Sequence, residues 1–444
     1  MNEMRAWRQW LERAYAVAML ALLTQGPVLK IWEGSALVRA DEIPTARWIT
    51  YALAQAPAVA LLLRRGLRRE EWRGPIGMLL AFAGWMLAST AWATLASHTI
   101  IEATSLALTT LAGVWFALRF GLAEQLAIVC VAMQPGLLAS WWAVREGWSG
   151  ARHPDAGYWI GVYFNRNSLA PPAAVGALAA IGLLWIVAVR RPRPWWPALA
   201  AWLAVAAAVD VALLLRSRSR TAWGAIAAFG AMWIAWTALR EVRRRGLLGG
   251  DRLRRVVVPA YLTVAAAMVW AFFWVQHRTA VGVGDDTLSG RAVMWRYSWD
   301  GVLRKPLLGW GWLSAWHTEL FFQENALSPY TIGCDVLANC SRWSHSAYMD
   351  VLLGGGVLAA AAFLVLVVWS ALRSADLALT RTAGQWVPAI TWFVLAAATQ
   401  ETFVVGHHFL WLLLSAALSA GRAAPASSPA DPPGRHLPSG DRGA

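Results

Sequence analysis

The sequence predicts an all-α polytopic membrane protein with about 12 transmembrane helices and one large outer loop. Of its 444 residues, 58% are hydrophobic and only 14% are charged, too few to cover a soluble core of this size. Apolar stretches of roughly 17 to 25 residues, the length that crosses a bilayer, follow one another along the chain. We count 12 such stretches, near residues 14–32, 45–63, 75–96, 99–119, 122–143, 167–189, 195–215, 221–239, 256–275, 346–372, 386–402 and 405–421.

The distribution of basic residues predicts which side of the membrane each loop faces, because loops rich in Lys and Arg stay in the cytoplasm. With the amino terminus inside, the inner segments hold 24 of the 39 basic residues and the short outer segments hold 9. The long outer segment, residues 276–344, holds the other 6. Both termini are therefore predicted to be cytoplasmic. The net charge of +14 comes from short clusters between apolar stretches, so it does not indicate a nucleic-acid partner.

The same pattern divides the chain into four parts. Residues 1–275 carry predicted transmembrane helices 1 to 9, residues 276–345 form the long periplasmic loop, and residues 346–421 carry helices 10 to 12. Residues 422–444 are rich in Pro, Ser, Gly and Ala and are predicted to form a disordered cytoplasmic tail. The first apolar stretch is long enough to remain in place as a signal anchor.

The sequence RSRSR at 216–220 forms a short outer connection, against the prevailing charge bias. Three arginines on the outer face favour an anion bound there, and the alternative is that they reach the phosphates of outer-leaflet lipids. Asp210 lies deeper in the same apolar stretch. A charged side chain at bilayer depth costs on the order of 2.5 to 3.5 kcal/mol and normally has a partner. We expect one of the three arginines to pair with Asp210.

The long outer loop contains a predicted amphipathic helix. Ser289 is a plausible N-cap, Pro306 ends the helix, and Arg291 falls in its first turn. One face carries apolar side chains, so we expect the helix to lie on the membrane surface; this face consists of Trp295, Trp299 and Val302. The loop also contains six tryptophans, at 295, 299, 310, 312, 316 and 343, most of which we expect at the membrane interface and one or two against a sugar.

His345 stands at the outer mouth of the tenth predicted span. Histidine is the side chain that changes charge near neutral pH, which suits proton transfer, although a purely structural role is the alternative. Asp350, one turn deeper, is expected either to orient His345 or to pair with an arginine. The three glycines at 354–356 are expected to let another helix approach closely. Cys334 and Cys340 either form a disulfide or remain thiols.

Four motifs occur in order along the chain. They are GVYFNRNSLA at 161–170, SR at 219–220 before a span, SGR and PLLGWG around the amphipathic helix, and HSAYM at 345–349 before a span with adjacent glycines. Together they resemble the O-antigen ligase and O-antigen polymerase family of membrane glycosyltransferases. The resemblance covers roughly residues 160–365, and the predicted topology agrees over the rest.

This resemblance implies an enzyme of the bacterial inner membrane. Its donor would be a saccharide linked through pyrophosphate to a polyprenol, such as undecaprenyl pyrophosphate, and its acceptor a hydroxyl of a saccharide, lipid or protein on the outer face. Arg220 and Arg291 match the arginines that clamp the pyrophosphate, and His345 matches the general base. Ser346 stands where the family often has Asn. The substrate-binding residues implied are Arg216, Arg218, Asn165, Asn167 and Asp350.

No cofactor or metal is expected, because the departing pyrophosphate already carries its charge on oxygens that arginine forks bind. Attack from the face opposite the leaving group would invert the anomeric carbon. A polymerase of the same family remains an alternative. So does a polyprenyl-phosphate glycosyltransferase that uses an acidic pair, for which Asp41 and Glu42 are the candidates. A lipid or solute transporter is a third possibility, but it predicts charges near the midplane and two repeated halves, whereas most charged candidates lie at the outer mouth.

Overall fold

A computed structural model describes residues 2–26, 45–154, 156–190, 195–246, 291–317, 344–380, 382–403 and 406–420, with six isolated positions between 255 and 270. Across these residues the chain is helical, and its one β-type contact is an isolated bridge between Arg152 and Trp159. The predicted all-α class is confirmed.

The described residues form thirteen α-helices, which we number in chain order. They are α1 Asn2–Leu23, α2 Thr45–Arg65, α3 Arg69–Trp72, α4 Pro75–Ala88, α5 Ala96–Arg119, α6 Leu122–Arg145, α7 Arg166–Arg190, α8 Trp196–Ser217, α9 Arg220–Arg244, α10 Arg291–Arg304, α11 Ala347–Thr380, α12 Trp386–Ala397 and α13 Phe409–Ser419.

Seven helical segments in the described part of the chain are long and apolar enough to cross a bilayer. They comprise α5 to α9, α11, and α4 continued by a 3₁₀ turn to Trp92. These segments coincide with the third to eighth and the tenth predicted spans. The ninth predicted span, 256–275, lies almost entirely outside the described residues. The total of 12 therefore stays a prediction.

The last two helices are shorter than predicted. α12 has 12 residues and α13 has 11, so at 1.5 Å per residue each covers about 16 to 18 Å of a hydrocarbon core that is ~30 Å thick. Nearly every side chain of both helices is buried inside the protein. Interrupted helices of this kind are tolerated in membranes where protein surrounds the non-helical backbone. Of the described residues between α12 and α13, Ala398 and His407 are buried in the protein.

Asp210 on α8 does not pair with an arginine, contrary to the sequence-based expectation. Its side chain is fully buried, and Gln134 on α6 donates a hydrogen bond from Nε2 to its Oδ2 at 3.0 Å. Gly176 on α7 provides the space, because a Cβ atom there would lie 2.5 Å from the same oxygen. Asp210 faces α6 and α7 two helical turns before Ser217, whereas Arg216 is exposed at the helix end.

The segment that follows α10 packs into the bundle. Trp310 donates its backbone N–H to Leu353 on α11 at 2.8 Å, and Trp312 donates to the Ser89 hydroxyl at 2.9 Å. Trp295, Trp312 and Trp316 are at most 3% exposed. The expectation that most tryptophans of the long loop lie at the membrane interface is therefore wrong for these three. Of the other three, Trp299 is 37% exposed, Trp310 is partly buried, and Trp343 lies outside the described residues.

The glycines of α11 allow both a neighbouring helix and the segment after α10 to approach closely. Met86 of α4 approaches Gly355, as expected for a helix contact. Gly356 instead faces the backbone of Leu307 and has a left-handed φ of 70° that kinks α11. A side chain at Gly356 would meet both a steric clash and backbone strain.

Gly356→Ala should therefore lower the thermal unfolding midpoint of the detergent-solubilised protein. A non-glycine residue held in an unfavourable backbone region costs of order 1 to 3 kcal/mol. Gly224→Ala on α9 is the matched control, because this helical glycine is exposed and has open space at its Cβ position. Equal midpoints for the two variants would contradict the packing of Leu307 against α11.

Candidate active site

Several of the sequence motifs meet at one end of the bundle, which we call the site face. α7, α9 and α11 begin there, and α6 and α8 end there. It is the end that the charge pattern predicts to be outside. The segment after α12 joins it, because Ala347 donates its backbone N–H to Ala398 at 2.9 Å.

His345 lies in the turn before α11, with its side chain 27% exposed. Its φ of 53° falls in the left-handed region, which non-glycine residues rarely adopt and which is enriched at functional sites. The Nδ1 atom lies 3.1 Å from Oε2 of Glu401, whose side chain is only 12% exposed. An ionised carboxylate can only accept a hydrogen bond, so in this pair Nδ1 donates and Nε2 is left as the basic nitrogen.

The other oxygen of Glu401 extends this contact across the site face. Asn167 at the start of α7 donates from Nδ2 to Glu401 Oε1 at 2.6 Å. Ser219 donates its hydroxyl to Asn167 Oδ1 at 2.9 Å and also caps the amino terminus of α9. The side chains of His345, Glu401, Asn167 and Ser219 thus form one continuous chain of hydrogen bonds, which we call the relay.

Arg220 follows the relay directly as the first residue of α9. Its side chain is exposed and makes no hydrogen bond or ion pair within the described part of the chain. Arg216 and Arg218 are also exposed. The guanidinium of Arg216 lies 5.7 Å from the centre of the Trp159 ring. Arg218 has a left-handed φ of 52° and donates to the carbonyl of Ala156 at 3.3 Å.

Glu401 is a residue of the site that the sequence motifs did not predict. No motif contains it, and we placed it at the end of the eleventh predicted span. The available signal was its carboxylate between two apolar stretches, because an ionisable group in such a place is costly and is retained with a partner. Asp210 carries the same signal, yet its partner is a glutamine.

Asp350 binds both loops that carry relay residues, the one before His345 and the one after Glu401. It is 1% exposed, and its Oδ1 accepts hydrogen bonds from the backbone N–H of Ser344 at 3.0 Å and from the Trp316 indole at 3.3 Å. Its Oδ2 accepts from the Thr402 hydroxyl. Of the two expected roles, the structure therefore favours orientation of His345 over pairing with an arginine. Both oxygens accept hydrogen bonds from protein groups, and the contact of Asp350 with substrate stays a prediction.

Asn165 caps the amino terminus of α7, the helix that follows it. Its Oδ1 accepts from the backbone N–H and the hydroxyl of Ser168, at 2.9 and 3.2 Å. This satisfies a backbone donor in the first turn of α7. Asn167, two residues further on, is the asparagine of this motif that joins the relay.

The amphipathic helix α10 falls within the range predicted between Ser289 and Pro306. Two residues of its apolar face pack into the protein, whereas the third, Trp299, is 37% exposed. Trp295 is buried and donates its indole N–H to the carbonyl of Ser344 at 2.9 Å, and Val302 packs against Trp316. Arg291 is the first residue of α10, four residues before Trp295, and its side chain is outside what the structure describes.

Within the described residues, no group of three or more His, Cys, Asp or Glu side chains could hold a metal ion. The predicted cysteine pair Cys334 and Cys340 and the acidic pair Asp41 and Glu42 lie outside the described residues.

Residues 205–364 match the family model described as O-antigen ligase. Over these residues the chain is similar to the O-antigen ligase family. A search of curated proteins finds no match to the chain. The family implies O-antigen ligase activity or a related glycosyltransferase activity, with a lipid-linked saccharide donor and a glycan acceptor. With its long apolar helices, the match indicates a multi-pass membrane protein.

The residues that match the family model contain only part of the site. Ser219, Arg220, Arg291 and His345 lie inside the matched residues, whereas Asn167 and Glu401 lie outside them. The relay therefore joins the matched residues to segments on either side of them in the sequence.

Asp350→Ala should destabilise the protein, because it leaves three buried donors without their acceptor. Each such loss costs about 1 to 3 kcal/mol, so we expect a clear fall in the thermal unfolding midpoint. Asp300→Ala is the control, since Asp300 on α10 is only partly buried. A midpoint for Asp350→Ala equal to that of the control would contradict the supporting role.

Proposed function

We propose that the protein transfers a saccharide from a polyprenyl-pyrophosphate carrier to an acceptor hydroxyl, in the manner of an O-antigen ligase. The observation that carries the proposal is the relay, which ties His345 to Glu401 and ends at the residue before Arg220. The relay thereby holds a basic nitrogen and an arginine on one face of the bundle. The match of residues 205–364 to the O-antigen ligase model supports the same reaction.

His345 is the general base of the proposed reaction. As the acceptor oxygen attacks the anomeric carbon, its proton moves to Nε2 and the imidazole becomes positively charged. Glu401, bound to Nδ1, fixes the tautomer and stabilises that charge. A positioned base of this kind contributes typically ~10² to 10⁴ in rate. Asn167 occupies the second oxygen of Glu401, which keeps the carboxylate turned towards His345.

Arg220 and Arg291 are the proposed clamp for the pyrophosphate. The bond between the anomeric carbon and the phosphate oxygen breaks as the new glycosidic bond forms, and the bonding electron pair leaves with the pyrophosphate. Guanidinium groups bind phosphate oxygens with two parallel hydrogen bonds, which strengthen as negative charge develops. Arg220 is exposed and has no carboxylate partner among the described residues, which suits an anion from outside the protein.

The remaining assignments follow from position. Arg216 and Arg218 are proposed as further anion contacts, and Asp350 acts through the loops that carry His345 and Glu401. The protein is proposed to lie in the bacterial inner membrane with both termini in the cytoplasm, which places the site face on the periplasmic side. An inverted anomeric carbon is expected from a single attack opposite the leaving group.

His345→Ala should abolish transfer by the purified protein, measured as glycosylated acceptor formed from a defined lipid-linked donor. Glu401→Gln should lower kcat about 10²-fold or more, because the amide removes the charge that stabilises the protonated imidazole. His98→Ala is the control for the first variant and Glu146→Gln for the second, since both residues lie on the site face outside the relay. Unchanged transfer by His345→Ala would remove it as the base.

Arg220→Ala should raise the KM for the donor and lower kcat, because the lost hydrogen bonds act in the ground state and in the transition state. Arg145→Ala is the matched control, since Arg145 is exposed at the end of α6 on the same face. If Arg220→Ala has wild-type kinetics, Arg220 does not bind the donor and only contacts membrane lipid.

A further inference from the structure

The turn before α11 holds His345 in a strained backbone conformation. Its φ of 53° lies in the left-handed region, which a residue with a Cβ atom keeps only where the surrounding structure imposes it. A residue held in this way relaxes when the contacts that impose the conformation are lost. The position of the imidazole therefore depends on the contacts made by the two chain neighbours of His345, which are Ser344 and Ser346.

Both neighbours are fully buried and are fixed by hydrogen bonds. The backbone N–H of Ser344 donates to Asp350 at 3.0 Å. The Ser344 hydroxyl donates to the carbonyl of Ser346 at 2.7 Å and accepts from the backbone N–H of Ser346 at 3.1 Å. These contacts come from the turn itself and from α11, so they are local to the segment that carries His345.

A further contact reaches the turn from α10. Trp295 is 1% exposed and donates its indole N–H to the carbonyl of Ser344 at 2.9 Å. This carbonyl belongs to the planar peptide group that joins Ser344 to His345, so its direction changes with any rotation about φ of His345. The indole of Trp295 thus holds the peptide plane on which the strained φ of His345 depends.

α10 is itself fixed against the helix that follows the turn. Val302 packs in one cluster with Trp316 and Leu353. The carbonyl of Gly301 accepts the indole N–H of Trp310 at 2.9 Å, and the backbone N–H of Trp310 donates to Leu353 at 2.8 Å. The position of the Trp295 indole is therefore set by how α10 packs on α11.

The same helix begins with Arg291, one of the two arginines proposed to bind the pyrophosphate. Trp295 follows Arg291 by four residues, which is about one helical turn. One short helix therefore contains a proposed ligand of the donor and the group that holds the turn of the proposed base.

We propose that Trp295 is a positioning residue, whose indole N–H maintains the strained turn and thereby keeps Nδ1 of His345 on Glu401. The proposal rests on the proposed function, because it concerns the base of that reaction. A displacement of α10 would release the carbonyl of Ser344 and let the imidazole turn away from Glu401. The base is thus in place only while the helix that begins with Arg291 is packed on α11.

The kinetic test compares Trp295→Phe with Trp310→Phe. Trp295→Phe should lower kcat about tenfold, because a buried carbonyl loses its donor and the turn relaxes. The KM for the lipid-linked donor should be unchanged. Trp310→Phe is the matched control, since its indole binds a carbonyl of α10 and not the turn. An unchanged kcat for Trp295→Phe, an equal fall in the control, or a rise in KM alone would overturn the proposal.

A second variant separates the hydrogen bond from the packing of the ring. 3-Benzothienylalanine at position 295 has nearly the size of tryptophan but carries sulfur in place of the N–H group. It should lower kcat as Trp295→Phe does, at an unchanged thermal unfolding midpoint, because no cavity forms. Wild-type kinetics in this variant would mean that Trp295 acts through packing alone, which contradicts the proposal.

The spectroscopic test needs no turnover and so does not depend on the proposed reaction. With ¹⁵N-labelled histidine, nitrogen NMR distinguishes protonated from unprotonated ring nitrogens, and the signals of His345 are those missing from His345→Ala. In the wild type the neutral imidazole should carry its proton on Nδ1, the atom that faces Glu401.

In Trp295→Phe the fraction of His345 with its proton on Nδ1 should fall by about half or more, because the ring leaves its carboxylate partner. Trp310→Phe should keep the wild-type spectrum. An unchanged tautomer in Trp295→Phe overturns the role of Trp295. If the tautomer shifts as expected while His345→Ala retains full transfer, the coupling of α10 to His345 stands and the proposed base is wrong.

Discussion

The carboxylate of Glu401 is the group on which the site depends. A carboxylate with 12% of its side chain exposed must have partners for its charge, and here one oxygen receives His345 and the other receives Asn167. These partners come from segments more than 170 residues apart in the chain. One desolvated charge therefore holds the starts of α7 and α11 in register, and through Ser219 it also reaches α9.

The interrupted pair of helices makes this arrangement possible. If α12 continued as a full span, its last turns would occupy the place where the segment after Ala397 turns towards His345. The break costs backbone hydrogen bonds, which the protein recovers by local turns and by contacts such as that between His407 and the Thr109 hydroxyl. A carboxylate can then stand among helix ends without facing lipid.

The helical class and the charged groups at the surface could be predicted from the sequence, because hydrophobic periodicity and charge distribution are local properties. His345 and Arg220 belong to short motifs, so their positions could be predicted. Glu401 could not, since its partners are set by tertiary contacts with Asn167 and His345. The same limit explains the wrong partner for Asp210, where sequence distance favoured an arginine and helix orientation favoured Gln134. It also explains why Trp295 on the apolar face of α10 packs against protein, although the sequence predicted a contact with the membrane surface.

Asp350 also binds the two described ends of the long loop. Trp316 and Ser344, which bracket the part of the long loop outside the described residues, both donate to its Oδ1. A single carboxylate thus joins two positions that lie 28 residues apart in the sequence, 344 minus 316. Loop closure entropy grows slowly, by about 0.6 kcal/mol for each doubling of length. A change in the length of the segment between Trp316 and Ser344 therefore adds little to the free energy of holding these two positions on Asp350, beside the turn that carries His345.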